Sequence, residues 1–94
     1  MYKTPEIEKI TILGVEVPVT ISSWKCNKEE ADGLYMDDRI YLRELYETKE
    51  YHDYILTHEA FHALCDVLGC QLDHNLEETL AKQIGKCMTL SILT

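Results

Sequence analysis

The chain has 94 residues, of which 46% are hydrophobic, and it carries a formal net charge of −8. This length predicts one small domain over residues 1–94, with a thin core that a bound metal would help to stabilise. The negative charge argues against nucleic acid or an anionic membrane as the main partner.

The lack of a recognisable targeting signal and the pattern of cysteines predict a cytoplasmic protein. No apolar run reaches the length of about 18 residues that a membrane span needs, and Met1–Ile10 lack the pattern of a signal peptide. The four cysteines, Cys26, Cys65, Cys70 and Cys87, form no Cys-x-x-Cys pair. Without an export signal we interpret them as thiols rather than as a disulfide framework, and we expect the cytoplasm as the compartment.

The N-terminal part, residues 1–43, is predicted to be rich in strands. Residues 7–21 contain many β-branched side chains, and apolar residues alternate with other types over Val15–Ile21, which is typical of a half-buried strand. Gly14 indicates a turn between two strands. Because Pro18 cannot donate a hydrogen bond to a ladder, its strand is predicted to lie at an edge or to pair on one side only.

Two further strands are predicted after a connecting segment. Residues 22–33 show no clean period and suit a loop, with one helical turn at Lys28–Ala31. Leu34–Arg43 suits two short strands joined by a turn at Asp37–Asp38, and Arg39–Leu42 is the stronger of the two.

The C-terminal half predicts two helices. Thr48 is a suitable N-cap for a helix from about Glu50 to Leu68, and Gly69 is a natural residue to end it. Asn75 is the expected N-cap of a second helix from Leu76 to about Leu90. The chain is therefore predicted to be α+β, with an N-terminal β-hairpin or small antiparallel sheet packed on these two C-terminal helices.

The first of these helices carries the strongest functional signal. His58 and His62 are four residues apart with Glu59 after the first, in the pattern His-Glu-x-x-His. On a helix the two imidazoles share one face a turn apart, where they can bind one Zn²⁺. Glu59 is rotated by about 100° from His58 and can take a proton from metal-bound water. The alternative is an ordinary amphipathic helix that carries two histidines on its solvated face.

A third ligand is needed to decide between these interpretations. Glu77 and Glu78 lie in the first turn of the second predicted helix. We favour Glu78, because the residues three and seven positions after it are small and would let the two helices approach closely. Glu78 could instead form a capping box with Asn75, and His74 is a further candidate ligand.

The arrangement of these residues resembles a known family. His58-Glu59-x-x-His62 followed by Asn75-x-x-Glu78-x-Leu80-Ala81-x-x-x-Gly85 is similar to the small metallopeptidase-like proteins of phages and prophages. These are zincins with a glutamate third ligand, as in thermolysin, and the likeness covers about residues 33–88. It implies a minimal zincin-like domain, one Zn²⁺ per chain held by His58, His62 and Glu78, and Glu59 as the general base. It also implies that Arg39–Leu42 runs along a cleft for a peptide or protein substrate.

Two features of the family are not matched directly. An acid normally follows the ligand glutamate by four residues, and here that position is Lys82. The family also uses a histidine or tyrosine to stabilise the oxyanion of the reaction. The candidates for that role in this chain are Tyr51, Tyr54, His52 and His74.

The sequence predicts two alternative functions, which belong to different classes of protein. The first is a zinc-dependent metallopeptidase, with three protein ligands and an open metal position for water. The second is a non-catalytic phage or prophage accessory or binding protein, with a structural or vestigial zinc site. Cys65 bears on this choice because it lies three residues after His62 and would close the site as a fourth ligand, although it also suits a buried core position.

Overall fold

The computed structural model describes residues 1–12, 14–69 and 78–79, and the predicted α+β class is confirmed. Six strands and two helices follow one another within residues 1–12 and 14–69: β1 (Tyr2–Lys3), β2 (Lys9–Ile12), β3 (Val15–Ile21), α1 (Ser23–Lys28), β4 (Gly33–Met36), β5 (Arg39–Leu42), β6 (Leu45–Tyr46) and α2 (Lys49–Leu68). The long helix α2 therefore comes after all the described strands.

The main sheet has four strands in the order β2-β3-β5-β4. Strands β2 and β3 are antiparallel, as are β4 and β5, but β3 and β5 are parallel. The predicted hairpin or small antiparallel sheet is therefore part of a mixed sheet, in which the pairing of β3 with β5 departs from the prediction. The reason is that α1 and β4 lie between β3 and β5 along the chain and bring it back in the same direction. A separate antiparallel pair, β1 with β6, was not predicted.

The predicted hairpin around Gly14 is confirmed, with Gly14 in the left-handed region at φ 82°. Its second strand, β3, lies inside the sheet, so the prediction of an edge position is wrong. Pro18 nevertheless pairs with Lys9 alone, because the pairing of β3 with β5 begins at Val19. The missing N–H of proline therefore costs no ladder hydrogen bond.

The segment between β3 and β4 contains the helix α1, earlier than the turn predicted at Lys28–Ala31. Ser22 caps this helix, because its hydroxyl accepts a hydrogen bond of 3.2 Å from the Lys25 amide. Cys26 anchors α1 in the interior as a fully buried, free thiol.

The turn between β4 and β5 is confirmed at Asp37–Asp38. Both residues have positive φ angles, 55° and 59°, a conformation that aspartate tolerates in tight hairpin turns.

Both predicted ends of α2 are confirmed. The Thr48 hydroxyl accepts a hydrogen bond of 3.0 Å from the Tyr51 amide, and Gly69 ends the helix at φ 67°. The second predicted helix, Leu76 to about Leu90, lies outside the described residues except for Glu78 and Thr79, which are helical.

One face of the four-stranded sheet packs against α2 to form the core. The sheet contributes alternate residues of β2, β3 and β5, and α2 contributes residues from its middle turns. These buried residues are Ile10, Val17, Val19, Ile40, Leu42, Ile55, Leu56, Ala60 and Ala63. Val67, near the end of α2, does not join this core and is 45% exposed. Within the described residues, neither helix is both long and apolar enough to cross a membrane.

Candidate metal centre

The two histidines of the motif lie one turn apart on α2, and their ring nitrogens approach a glutamate from a later part of the chain. The two Nε2 atoms of His58 and His62 are 3.2 Å apart. Glu78 places Oε1 at 2.8 Å from His62 Nε2 and at 3.3 Å from His58 Nε2. Three atoms that can each bind a metal thus form a compact triangle, and they are the one such group found among the described residues.

The dimensions of this triangle fit a tetrahedral zinc ion. With metal–ligand distances of about 2.0–2.1 Å, two ligand atoms of a tetrahedral Zn²⁺ lie about 3.3 Å apart. The three observed separations, 2.8, 3.2 and 3.3 Å, are close to that value. Two imidazoles and one carboxylate are also a donor set found in catalytic zinc sites, where the fourth position is open. The residues present therefore fit a zinc ion in both geometry and donor chemistry.

Glu59 lies beside this triangle but on the buried side of α2. It is only 7% exposed, and the residues one turn before and after it, Ile55 and Ala63, belong to the core. Strand β4 covers it through Gly33: a Cβ atom at Gly33 would lie 3.5 Å from Glu59 Cγ and only 2.5 Å from Ile55 Cγ2. A side chain at Gly33 would therefore push β4 away from the helix.

Burial makes the carboxyl group of Glu59 a weaker acid than an ordinary glutamate. Loss of solvation raises the pKa of Glu59 to about 7, the charge of His62 opposes this rise, and the charge of Glu78 adds to it. A carboxyl group with a pKa near neutrality can both accept and return a proton at neutral pH.

Glu78 has the opposite tendency. Partial burial acts to raise its pKa, but the nearby His58 and His62 outweigh this, so the pKa of Glu78 is held below its ordinary value. Glu78 is therefore a carboxylate at neutral pH, the form that binds a metal. Four residues from the sequence analysis lie outside the described residues: the alternative ligands Glu77 and His74, the capping partner Asn75, and Lys82, which stands where the family has an acid.

Cys65 does not join the group of converging ligand atoms. It is 4% exposed and lies in the interior. The metal-competent group among the described residues consists of His58, His62 and Glu78, without the cysteine sulfur.

The candidates for oxyanion stabilisation occupy different parts of the molecule. The Tyr54 ring lies 6.0 Å from the His58 ring, and burial together with the charges of Glu78 and Glu59 raises the pKa of the Tyr54 phenol. Tyr51 donates its hydroxyl hydrogen to Asp32. His52 is buried and bonded to Asp53, and His74 lies outside the described residues.

The strand at the edge of the sheet beside α2 is β4. The resemblance places Arg39–Leu42 along a substrate cleft, but that strand, β5, is paired on both sides by β3 and β4. Among the described strands β4 pairs with β5 alone, so no described strand covers its other edge. The strand of the sheet that lies beside α2 with this unpaired edge is therefore Gly33–Met36, not Arg39–Leu42.

Two residues around the site, Gly33 and Tyr35, were not identified from the sequence. Gly33 gives β4 its close approach to Glu59, and Tyr35 on β4 donates a hydrogen bond of 2.8 Å to Asp66 on α2. Asp66 itself lies one turn after His62, on the stripe of the helix where the sequence places it with the histidines. Gly33 and Tyr35 lie far from α2 in the sequence, and no local pattern relates them to that helix.

No protein-family profile, curated protein or solved structure matches the chain. The likeness to the small phage zincins therefore depends on the motif residues and their arrangement.

Proposed function

We propose that the chain is a zinc-dependent metallopeptidase that binds one Zn²⁺ through His58, His62 and Glu78 and uses Glu59 as the general base. The observation that carries this proposal is the triangle of two Nε2 atoms and one Oε1 atom, with sides of 2.8 to 3.3 Å, directly beside a buried carboxyl group. The resemblance to small phage and prophage zincins supports the same assignment.

The roles of the residues follow from their environments. Zn²⁺ bound at the triangle would lower the pKa of a coordinated water toward ~7 and polarise the carbonyl of a peptide. Glu59, with its pKa raised to about 7, accepts the proton of the attacking water and returns it to the departing amine. The aliphatic part of the Glu59 side chain lies between its core neighbours on α2 and Gly33 of β4.

The substrate of this proposal is a peptide or protein segment in extended conformation. No described strand pairs with the second edge of β4, and the N–H and C=O groups along that edge can pair with one further strand. A bound segment would then lie beside Glu59, because Gly33 at the start of β4 is adjacent to that residue. We propose the cytoplasm as the compartment, since the buried Cys26 is a free thiol, as reducing conditions favour.

The second candidate, a binding protein with a structural zinc ion, needs a closed site with four protein ligands. Cys65 was the residue expected to close it, and its sulfur is not part of the converging group. This observation favours an open metal position over one closed by Cys65.

Substitution of Glu59 by glutamine tests the proposed function. Glu59→Gln keeps the shape of the side chain but cannot accept a proton, so we expect cleavage of a peptide library to fall by about 10²–10⁴-fold. The zinc content should stay at one ion per chain in both proteins. The matched control is Glu50→Gln, on the exposed first turn of the same helix, which should cleave like the wild type.

Three results would contradict the proposal in different ways. Absence of zinc in the purified protein would remove the metal site. Cleavage that survives Glu59→Gln at equal zinc occupancy would show that another group is the base. Absence of cleavage by the zinc-loaded wild type, with sulfur bound to the metal, would support the structural-zinc protein.

A further inference from the structure

Strand β4 and helix α2 are joined by a hydrogen bond at each end of β4, and both bonds link a tyrosine to an aspartate. In one bond the tyrosine belongs to α2, and in the other it belongs to β4. The two bonds lie on either side of the position where Gly33 meets Glu59.

The first bond lies at the start of β4. Tyr51, in the first turns of α2, donates its hydroxyl hydrogen to the carboxylate of Asp32, the residue directly before β4. Asp32 is itself fixed, because its carboxylate lies 3.4 Å from Arg43 Nε and its backbone carbonyl accepts a hydrogen bond from the Tyr46 hydroxyl. Tyr51 therefore links α2 to Asp32, a residue that Arg43 and Tyr46 already hold in position.

The second bond lies further along β4. Tyr35 donates its hydroxyl hydrogen to Asp66 Oδ2 at 2.8 Å, and Asp66 lies one turn after His62 on α2. The same hydroxyl is 3.5 Å from Asp38 Oδ1 in the turn that ends β4. This end of the strand is thereby connected to the part of α2 that follows the metal-binding turn.

Between these bonds, β4 touches α2 without an intervening side chain at Gly33. The contacts occur in the same order along both elements: Asp32 with Tyr51, Gly33 with Ile55 and Glu59, and Tyr35 with Asp66. Strand β4 therefore runs alongside the helix in the same direction, from before the metal-binding turn to beyond it.

We propose that Tyr35 and Tyr51 are positioning residues that fix the edge of β4 relative to the metal-binding face of α2. This inference rests on the proposed function, because a peptide paired with β4 would take its position from that strand. A small displacement of β4 would shift the scissile bond relative to Glu59 and the metal ligands, and reactions in such sites depend steeply on such shifts.

The exposure of the two bonds distinguishes positioning from general stabilisation. Tyr51 is 38% exposed, and Tyr35 bonds to an exposed aspartate. Hydrogen bonds at the surface contribute little to global stability, because water replaces the lost partner when one is removed. Removal of both hydroxyl groups should therefore loosen β4 while the core between the sheet and α2 stays folded.

The test compares zinc-loaded wild type with Tyr35→Phe, Tyr51→Phe and the double variant. Tyr41→Phe is the matched control, because Tyr41 alternates with the buried Ile40 and Leu42 and so faces away from α2. The measurements are amide hydrogen exchange along β4, zinc affinity, and kcat and KM for the peptide that the wild type cleaves best from a library.

We expect faster exchange in β4 for the double variant, with exchange in β2, β3 and the middle of α2 unchanged. kcat should fall about threefold in each single variant and about tenfold in the double variant, with KM and zinc affinity close to the wild type. Tyr41→Phe should leave all of these measurements unchanged.

Exchange in β4 and kcat values equal to those of the wild type would overturn the inference. Faster exchange throughout the sheet and α2 would also overturn it, because the bonds would then be general stabilising contacts. If the zinc-loaded wild type cleaves no peptide, the proposed function fails, and the exchange of β4 alone decides whether the two tyrosines fix the strand.

Discussion

Helix α2 carries two histidine–carboxylate clusters, and only one of them has the geometry of a metal site. Near its start, His52 Nδ1 donates a hydrogen bond of 2.9 Å to Asp53 Oδ1. Further along, His62 Nε2 lies 2.8 Å from Glu78 Oε1. The distances are nearly equal, so the pairing of a histidine with a carboxylate does not by itself distinguish the two clusters.

The first cluster is sealed inside the fold, and its ligand atoms do not converge on one point. His52 is 1% exposed, with the rings of Tyr2 and Tyr46 at 5.0 and 5.6 Å. The second carboxylate oxygen of Asp53 accepts a hydrogen bond of 2.8 Å from Lys49. The ammonium group of Lys49 therefore already balances the negative charge of this carboxylate.

The second cluster directs three donor atoms at one another instead. His58, His62 and Glu78 leave three nitrogen and oxygen atoms within 3.3 Å, close to the spacing around a tetrahedral ion. Convergence of ligand atoms, rather than the presence of histidine and acid, therefore distinguishes a candidate metal site from a structural pair on the same helix.

The largest expected difference between the clusters is in zinc affinity. His62→Ala removes one of three ligands and should weaken zinc binding by at least about 100-fold, beyond the loss typical of an outer partner. His52→Ala should leave zinc affinity near that of the wild type. It should instead lower the free energy of unfolding by about 2–4 kcal/mol, because it opens a cavity and leaves Asp53 without its imidazole. Isothermal titration with Zn²⁺ and denaturant unfolding in chelator measure the two effects.

Equal zinc affinities for the two alanine variants would remove the distinction between the clusters. Glu78→Gln provides a second check, because zinc needs the charged oxygen. It should weaken zinc binding much more than Glu77→Gln, and the reverse result would assign the third ligand to Glu77.

The local parts of this arrangement could be predicted from the sequence. Four-residue spacing places His58 and His62 on one face of any helix, and Thr48 and Gly69 define the ends of that helix through contacts within a few residues. The turn at Asp37–Asp38 is local in the same sense. Such features depend on neighbours in the chain, which the sequence displays directly.

The long-range parts could not be predicted in this way. The parallel pairing of β3 with β5 and the pairing of β1 with β6 join segments far apart in the chain. Glu59 was expected beside the histidines on a polar stripe, yet it is buried because Gly33 brings β4 over it. The apolar residues Ile55 and Ala63, one turn on either side of Glu59, were the available signal for this burial.

The acidity of Glu59 predicts a pH dependence of stability in the metal-free protein. An ordinary pKa of 4.5 in the unfolded chain and a pKa of about 7 in the folded protein correspond to a difference of about 3 kcal/mol. Below pH 4.5 the carboxyl group is protonated in both states and burial carries no ionic penalty. As the pH rises toward 7, the unfolded chain gains by ionising first, so the free energy of unfolding falls.

Glu59→Gln isolates this contribution, because glutamine does not titrate. In chelator, the free energy of unfolding of the wild type relative to Glu59→Gln should fall by about 3 kcal/mol between about pH 4.5 and pH 7. Parallel curves for the two proteins would mean that the Glu59 carboxyl group is as well solvated as a surface acid. That result would contradict the burial of Glu59 between α2 and β4. Denaturant unfolding at a series of pH values provides the measurement.

The smallest expected effect concerns the contact that makes Glu59 part of the buried side of α2. In Gly33→Ala the new Cβ would meet Ile55 Cγ2 at 2.5 Å, so β4 must move away from the helix. We expect a loss of about 1–3 kcal/mol in the free energy of unfolding, reduced somewhat because alanine also restricts the unfolded chain. Ile55→Ala removes the atom that clashes, so the double variant Gly33→Ala/Ile55→Ala should be more stable than the sum of the single changes predicts. Strict additivity in this cycle would show that β4 does not depend on Ile55 for its position.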